Sequence, residues 1–107
     1  MKDEYIRNAT VLKIVDGDTI DLNIDLGFRM WMFVRIRFAE INAEPKNTLK
    51  GLEAATALEN LIPVGTKVAV KTLKPEKYGR TLGVVYLEDL DVNKWLLDQG
   101  YAVPYEA

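Results

Sequence analysis

The chain has 107 residues, 49% of them hydrophobic and 28% charged, with a formal net charge of -2 and neither cysteine nor histidine. That length suits one domain with a single modest core, and nothing in the composition points to disorder or low complexity. Disulfides, zinc-thiolate sites, thiol nucleophiles and the commonest general base are excluded, so any chemistry falls to carboxylates, arginines and lysines, and any metal to a hard, oxygen-bound cation.

The slight acidity argues against coating nucleic acid by global charge but leaves room for a local basic cleft. No apolar run approaches a membrane span, and residues 1–4 (Met-Lys-Asp-Glu) do not open a signal segment. The expectation is a cytoplasmic monomer with no membrane partner, an exported origin staying open.

Ala9–Val15 is rich in β-branched and apolar residues, and beyond Asp16-Gly17-Asp18-Thr19 the apolar residues Ile20, Leu22, Ile24 and Leu26 alternate with Asp21, Asn23 and Asp25. This reads as strand, tight turn, strand. Ordinary turn chemistry accounts for Asp16, whose carboxylate suits nearby turn amides, and for Gly17, expected to supply a positive φ. It does not require Asp18, which carries the functional question: for an Asp-Gly-Asp alone, ordinary turn chemistry is the commoner reading and a cation ligand the alternative.

Gly27-Phe28-Arg29-Met30-Trp31 reads as a hairpin connection whose aromatic residues pack on the barrel mouth. The third strand, Met32–Ile41, sets Val34, Ile36 and Phe38 on one face and Arg35 and Arg37 on the other. Those arginines suit either cross-strand pairing with Asp21 and Asp25 or phosphate binding.

Helical spacing follows over Leu49–Ile62, through Leu52, Ala55, Leu58, Leu61 and Ile62, and ends at Pro63 and Gly65. Lys67–Lys74 and Leu82–Leu87 read as strands around the loop Pro75–Arg80. Lys67, Lys71 and Lys74 read as a solvated face, a nucleic-acid track being the alternative. A second helix starts at Asp91 as N-cap, buries Val92, Trp95 and Leu96, and stops at Gly100. Trp31 and Trp95 read as packing groups. Tyr78, Tyr101 and Tyr105 suit base stacking, or for the tail pair a cap on the barrel. The order β-β-β-α-β-β-α suits a mainly β protein with helices (α+β): a five-stranded, OB-type Greek-key barrel over residues 1–107 as a single domain. An open α+β sheet is the alternative.

Taken in order, the Asp-Gly-Asp-Thr turn, the strand end Arg37-Phe38-Ala39-Glu40-Ile41-Asn42-Ala43, the loop Tyr78-Gly79-Arg80 and the close Val92-Asn93-Lys94-Trp95-Leu96-Leu97-Asp98-Gln99-Gly100-Tyr101-Ala102 resemble the staphylococcal nuclease-like (thermonuclease) family from about Ala9 to Tyr105. The resemblance implies an OB-type barrel that hydrolyses DNA or RNA phosphodiesters with calcium, single-stranded DNA or RNA being the expected partner. It implies Asp18 and Asn42 as metal ligands with the Ala43 carbonyl, Arg37 and Arg80 as catalytic arginines, and Lys77 and Tyr78 as substrate contacts.

Two departures qualify the match. Asn42 stands where the family most often has a second ligating aspartate, removing one negative charge. The family's Pro-Glu pair is inverted to Glu44-Pro45, so Glu44, the remaining candidate for activating water, is one residue early. The expected enzyme is a calcium-dependent nuclease of reduced activity; a noncatalytic nucleic-acid-binding or protein-interaction module is the alternative. Matching Arg35 instead of Arg37 would put Glu40 at the second-ligand position, a less favoured register because Ile41-Asn42-Ala43 fits the family's apolar-Asp-small pattern better.

Overall fold

The computed structural model describes residues 6–73 and 81–105. Five long strands build the sheet: β1 (Ile6–Asp16), β2 (Thr19–Gly27), β3 (Met30–Phe38), β5 (Lys67–Thr72) and β6 (Thr81–Leu87). Of three two-residue strands, β7 (Leu90–Asp91) extends this sheet beside β6, whereas β4 (Ile41–Asn42) and β8 (Val103–Pro104) pair with each other in a small separate sheet. Two helices complete the order: α1 (Leu49–Leu61), between β4 and β5, and α2 (Val92–Asp98), between β7 and β8.

The strands run β3-β2-β1-β5-β6-β7, and β3 also pairs with β6, in parallel, through Ile36, Arg37 and Phe38 against Thr81, Leu82 and Gly83. That last pairing closes five strands into a barrel and excludes the open sheet that the same elements would also have allowed. Val11, Ile20, Leu22, Ile36, Phe38, Val70 and Val85 turn inward and are fully buried. Each contributes on the order of 1.5–3 kcal/mol by leaving water. Leu58, Ile62, Val92 and Leu96 from the helices join the same core.

Helix α1 lies close to the expected span, with Thr48 as N-cap accepting from the Gly51 N–H. Its buried face is Gly51, Ala54, Ala55 and Leu58, not Leu52, which is 47% exposed. Small residues face inward because α1 lies close against the turn between β1 and β2. Helix α2 starts at the Asp91 cap and ends before Gly100, as its signals require.

Gly17 is not a positive-φ residue; among the described residues those glycines are Gly27, Gly65 and Gly100. Its role is close approach: a Cβ there would stand 2.7 Å from Ala54 Cβ and 3.1 Å from Ala43 Cβ. Glycine thus lets the β1–β2 turn lie flat beneath α1 and the strand end carrying Ala43. The Asp16 carboxylate, expected on nearby turn amides, instead accepts from the Lys46 N–H at 2.9 Å, tying the turn to the approach to α1.

The β2–β3 hairpin behaves differently from expectation. Its aromatics do not pack on the barrel: Phe28 is 97% exposed and Trp31 half exposed. Phe28 (φ 54°) and Arg29 (φ 64°) form a two-residue loop with both residues in the left-handed region, a geometry that favours Asn-Gly. Replacing the pair, Phe28→Asn with Arg29→Gly, is expected to stabilise the protein by about 1 kcal/mol, raising Tm by roughly 4 °C in a thermal melt.

Candidate functional site

The site lies at the barrel end where β2 begins and β3 finishes. Thr19 faces Arg37 across the β2–β3 ladder, so Asp18, one step before Thr19, emerges beside the last turn of β3. The Asp18 carboxylate is buried, with 8% of the residue exposed, and its contacts come from three directions. Oδ1 accepts from the Thr19 hydroxyl at 3.0 Å, Oδ2 accepts from the Ala43 N–H at 2.9 Å, and Arg37 Nη2 lies 3.6 Å from Oδ2. The last distance is an ion pair without a direct hydrogen bond.

Arg37 is equally buried. Its Nη1 donates to the carbonyls of Phe38 (3.3 Å) and Ile41 (3.1 Å), its Nη2 donates to Asn42 Oδ1 at 2.9 Å, and the Tyr105 ring lies over the guanidinium carbon at 5.0 Å. Phe38–Ile41 is a tight reversal, with Glu40 at φ 65°, and each of its four carbonyls has a dedicated donor. Arg37 takes Phe38 and Ile41, the Asn93 amide takes Ala39 at 3.1 Å, and the Tyr105 N–H takes Glu40 at 2.9 Å. Such complete satisfaction fixes the turn, and the turn fixes Asn42 and Ala43 against Asp18.

The structure therefore brings Asp18, Arg37, Asn42 and Ala43 together. The contact recorded for Ala43 is its N–H on Asp18. Glu44 is exposed, on the wall of an open cleft of about 340 Å³ that Asn42, Lys50, Glu53 and Tyr101 also line. Lys77, Tyr78 and Arg80 lie outside the described residues. Arg35 is held elsewhere: Nε and Nη2 donate to the two oxygens of buried Asp21 at 2.7 and 3.2 Å. Hydrogen bonding and charge from Asp21 together raise the Arg35 pKa above its ordinary value. Glu40 is exposed on the turn, so this geometry favours the register that uses Arg37.

Two residues gained importance only in three dimensions. Asn93 is 5% exposed; its Oδ1 accepts from the Val85 N–H and its Nδ2 donates to Ala39 and Gly83 carbonyls, all at 3.1 Å. The available signal was its place three residues before Leu96, on the buried face of α2. Tyr105, assigned by sequence to base stacking or capping, roofs Arg37.

The donor chemistry at Asp18 and Asn42 fits a hard divalent cation. The side-chain atoms able to ligate are oxygens, Asn42 through Oδ1, and each Asp18 oxygen accepts one hydrogen bond while retaining lone-pair capacity. Among the described residues no group of three or more carboxylates gathers into a metal cluster.

Comparison with known proteins gives this geometry its context. An uncharacterized endonuclease of Escherichia coli is 33% identical over 100 residues, covering 92% of this chain and 61% of the relative. Protein ParB of Escherichia coli is 33% identical over 104 residues, 89% of this chain and 55% of the relative. A micrococcal nuclease of Shigella flexneri is 37% identical over 76 residues, 71% of this chain and 40% of the relative. The chain thus spans roughly two to three fifths of these relatives' lengths. The Escherichia coli endonuclease alignment, at 92% of the chain, necessarily includes Asp18. Residues 33–107, which hold Arg37, Asn42, α2 and the tail, match the profile of the staphylococcal nuclease homologues, and with a closed barrel whose strand ends carry buried Asp18 and Arg37 beside the exposed Asn42, the chain belongs to that family.

Proposed function

We propose that this domain is an endonuclease-type phosphodiesterase acting on single-stranded DNA or RNA with a divalent cation, calcium first among candidates. The observation that carries the reading is the gathering of Asp18, Asn42 and Arg37 within 3.6 Å contacts at one barrel end. Asp18, Asn42 and the Ala43 carbonyl would hold the cation, which when bound supplies charge for a phosphoryl oxygen and a place for water.

The chain's own residues do the rest. Thr19 and the Ala43 N–H orient the Asp18 carboxylate. Tyr105 and the Phe38 and Ile41 carbonyls hold the planar Arg37 fork in place at the strand end. In this reading Arg37 and Arg80 neutralise charge growing on the phosphate oxygens. Lys77 and Tyr78 hold the substrate strand. Glu44, on the cleft beside Asn42, is the carboxylate nearest in sequence to a water-activating position, and a general base out of position slows a reaction by about 10²- to 10⁴-fold.

A second reading has its own support. Arg37 is satisfied by protein oxygens and Glu44 faces solvent, as a noncatalytic nucleic-acid-binding or protein-interaction module would allow. The discriminating experiment is a calcium titration against a labelled single strand, with the wild type, Asp18→Ala, and the double variant Glu44→Pro, Pro45→Glu. The nuclease reading expects calcium-stimulated cleavage, about 10²-fold lower in Asp18→Ala and raised in the double variant. Salt-dependent binding without turnover in any form would make the module the better account.

A further inference from the structure

Arg37 poses a difficulty for a cation at this site. Its side chain is only 8% exposed, and the Asp18 side chain 11%. Three of its N–H groups are engaged by Phe38, Ile41 and Asn42, and its charge lies 3.6 Å from the Asp18 carboxylate. One buried positive group and one buried negative group therefore cancel, and the amide oxygen that would complete a cation site is the acceptor of the arginine's own hydrogen bond.

We infer that Arg37 is the resident counter-ion of Asp18, and that a divalent cation competes with it for Asp18 Oδ2 and Asn42 Oδ1. The inference deepens the proposed reading of Asp18 and Asn42 as cation ligands and rests on it. A dication bound to both oxygens at ordinary metal–oxygen distances, about 2.3–2.6 Å, would stand within a few ångströms of the guanidinium. In a partly dry pocket that repulsion is far less screened than in bulk water. The Nη2 arm also occupies one lone pair of the Asn42 oxygen and holds its positive charge beside the place a cation would take. Weak calcium affinity would then have two sources of different kind: the charge missing from Asn42, and the charge present on Arg37. Only the second is relieved by removing a residue.

The test is calcium binding to the full chain, measured by titration calorimetry without nucleic acid. Arg37→Gln is expected to bind calcium about ten-fold or more tightly than the wild type, because the repulsion is gone and the oxygens are released. Arg37→Lys, which keeps the charge, should gain little. Adding Asp18→Asn to Arg37→Gln should erase the gain.

Because Arg37 also holds the β3–β4 turn, circular dichroism must show Arg37→Gln folded. The wild type gives an independent reading if it is not. On calcium addition the side-chain N–H resonances of Arg37 should shift and lose protection, while those of Arg35, paired with Asp21, stay in place. Equal or weaker binding by a folded Arg37→Gln, no binding by any form, or an unmoved Arg37 in calcium-loaded wild type would overturn the competition. None of these measurements involves cleavage. The nuclease reading therefore stands or falls separately, on the single-strand assay.

Discussion

Gly51→Ala is expected to destabilise the protein by about 3 kcal/mol or more, a large part of the 5–15 kcal/mol typical of a whole domain. The methyl group has nowhere to go. A Cβ at Gly51 would fall on the Pro45 carbonyl group and crowd the Glu44 carbonyl oxygen as well. Those are backbone atoms, and they are held where they are. The Pro45 oxygen accepts from both the N–H (3.0 Å) and the hydroxyl (2.8 Å) of Thr48, whose hydroxyl in turn accepts from the Gly51 N–H at 3.0 Å.

Relief would mean breaking the Thr48 cap or moving Glu44 and Pro45 away from Asn42. Either should show in a urea titration as a lower midpoint with an unchanged slope, and any cleavage activity should fall with it. Gly51→Ser, which carries the same Cβ, should be at least as damaging. A wild-type midpoint in Gly51→Ala would show that the helix start can shift freely, and the close approach would then have no structural weight.

Glycines at 17 and 51 mark the boundary of what the sequence makes legible. Strand periodicity, the Asp91 cap and the apolar faces are local signals, and the barrel, both helices and their order follow from them. Gly17, by contrast, sits in a turn and invites a conformational explanation, whereas its real constraint comes from Ala54 on a helix more than thirty residues away. The same separation hid Asp16's partner at Lys46.

That Asp18, Arg37 and Asn42 would lie together was legible, because family order fixes their places. The covering of Arg37 by Tyr105 was not, since nothing local in the tail says which residue the ring will meet. Exposed Phe28 and Trp31 follow the same logic in reverse: their composition asks for burial, but the hairpin carries them away from the core.

Asn93→Leu is the second substitution expected to have a large effect, about 3–4 kcal/mol of lost stability. Leucine has the heavy-atom branching of asparagine, though more volume, and improves helix propensity, so a role in packing alone would make the change a modest one. The hydrogen bonds predict a large one. Buried Asn93 accepts from the Val85 N–H and donates to the Ala39 and Gly83 carbonyls. Gly83 keeps the Ala39 N–H as a donor at 2.9 Å, but Val85 and Ala39 lose their side-chain partner in a dry interior. Each buried group so orphaned costs about 1–3 kcal/mol.

Asn93→Asp separates the two halves of the role. It keeps an acceptor for Val85 but turns a carboxylate oxygen toward two carbonyls, so it should lose stability as pH rises through the buried acid's own titration, whereas Asn93→Leu should be destabilised at every pH. The damage should also reach the site, because Ala39 belongs to the turn that sets Asn42 against Asp18. Any calcium binding and any cleavage should therefore fall in Asn93→Leu even at temperatures where it remains folded. A stable Asn93→Leu would mean that water or a shifted backbone satisfies Val85 and Ala39, and that the turn is held well enough by Arg37 and the tail strand alone.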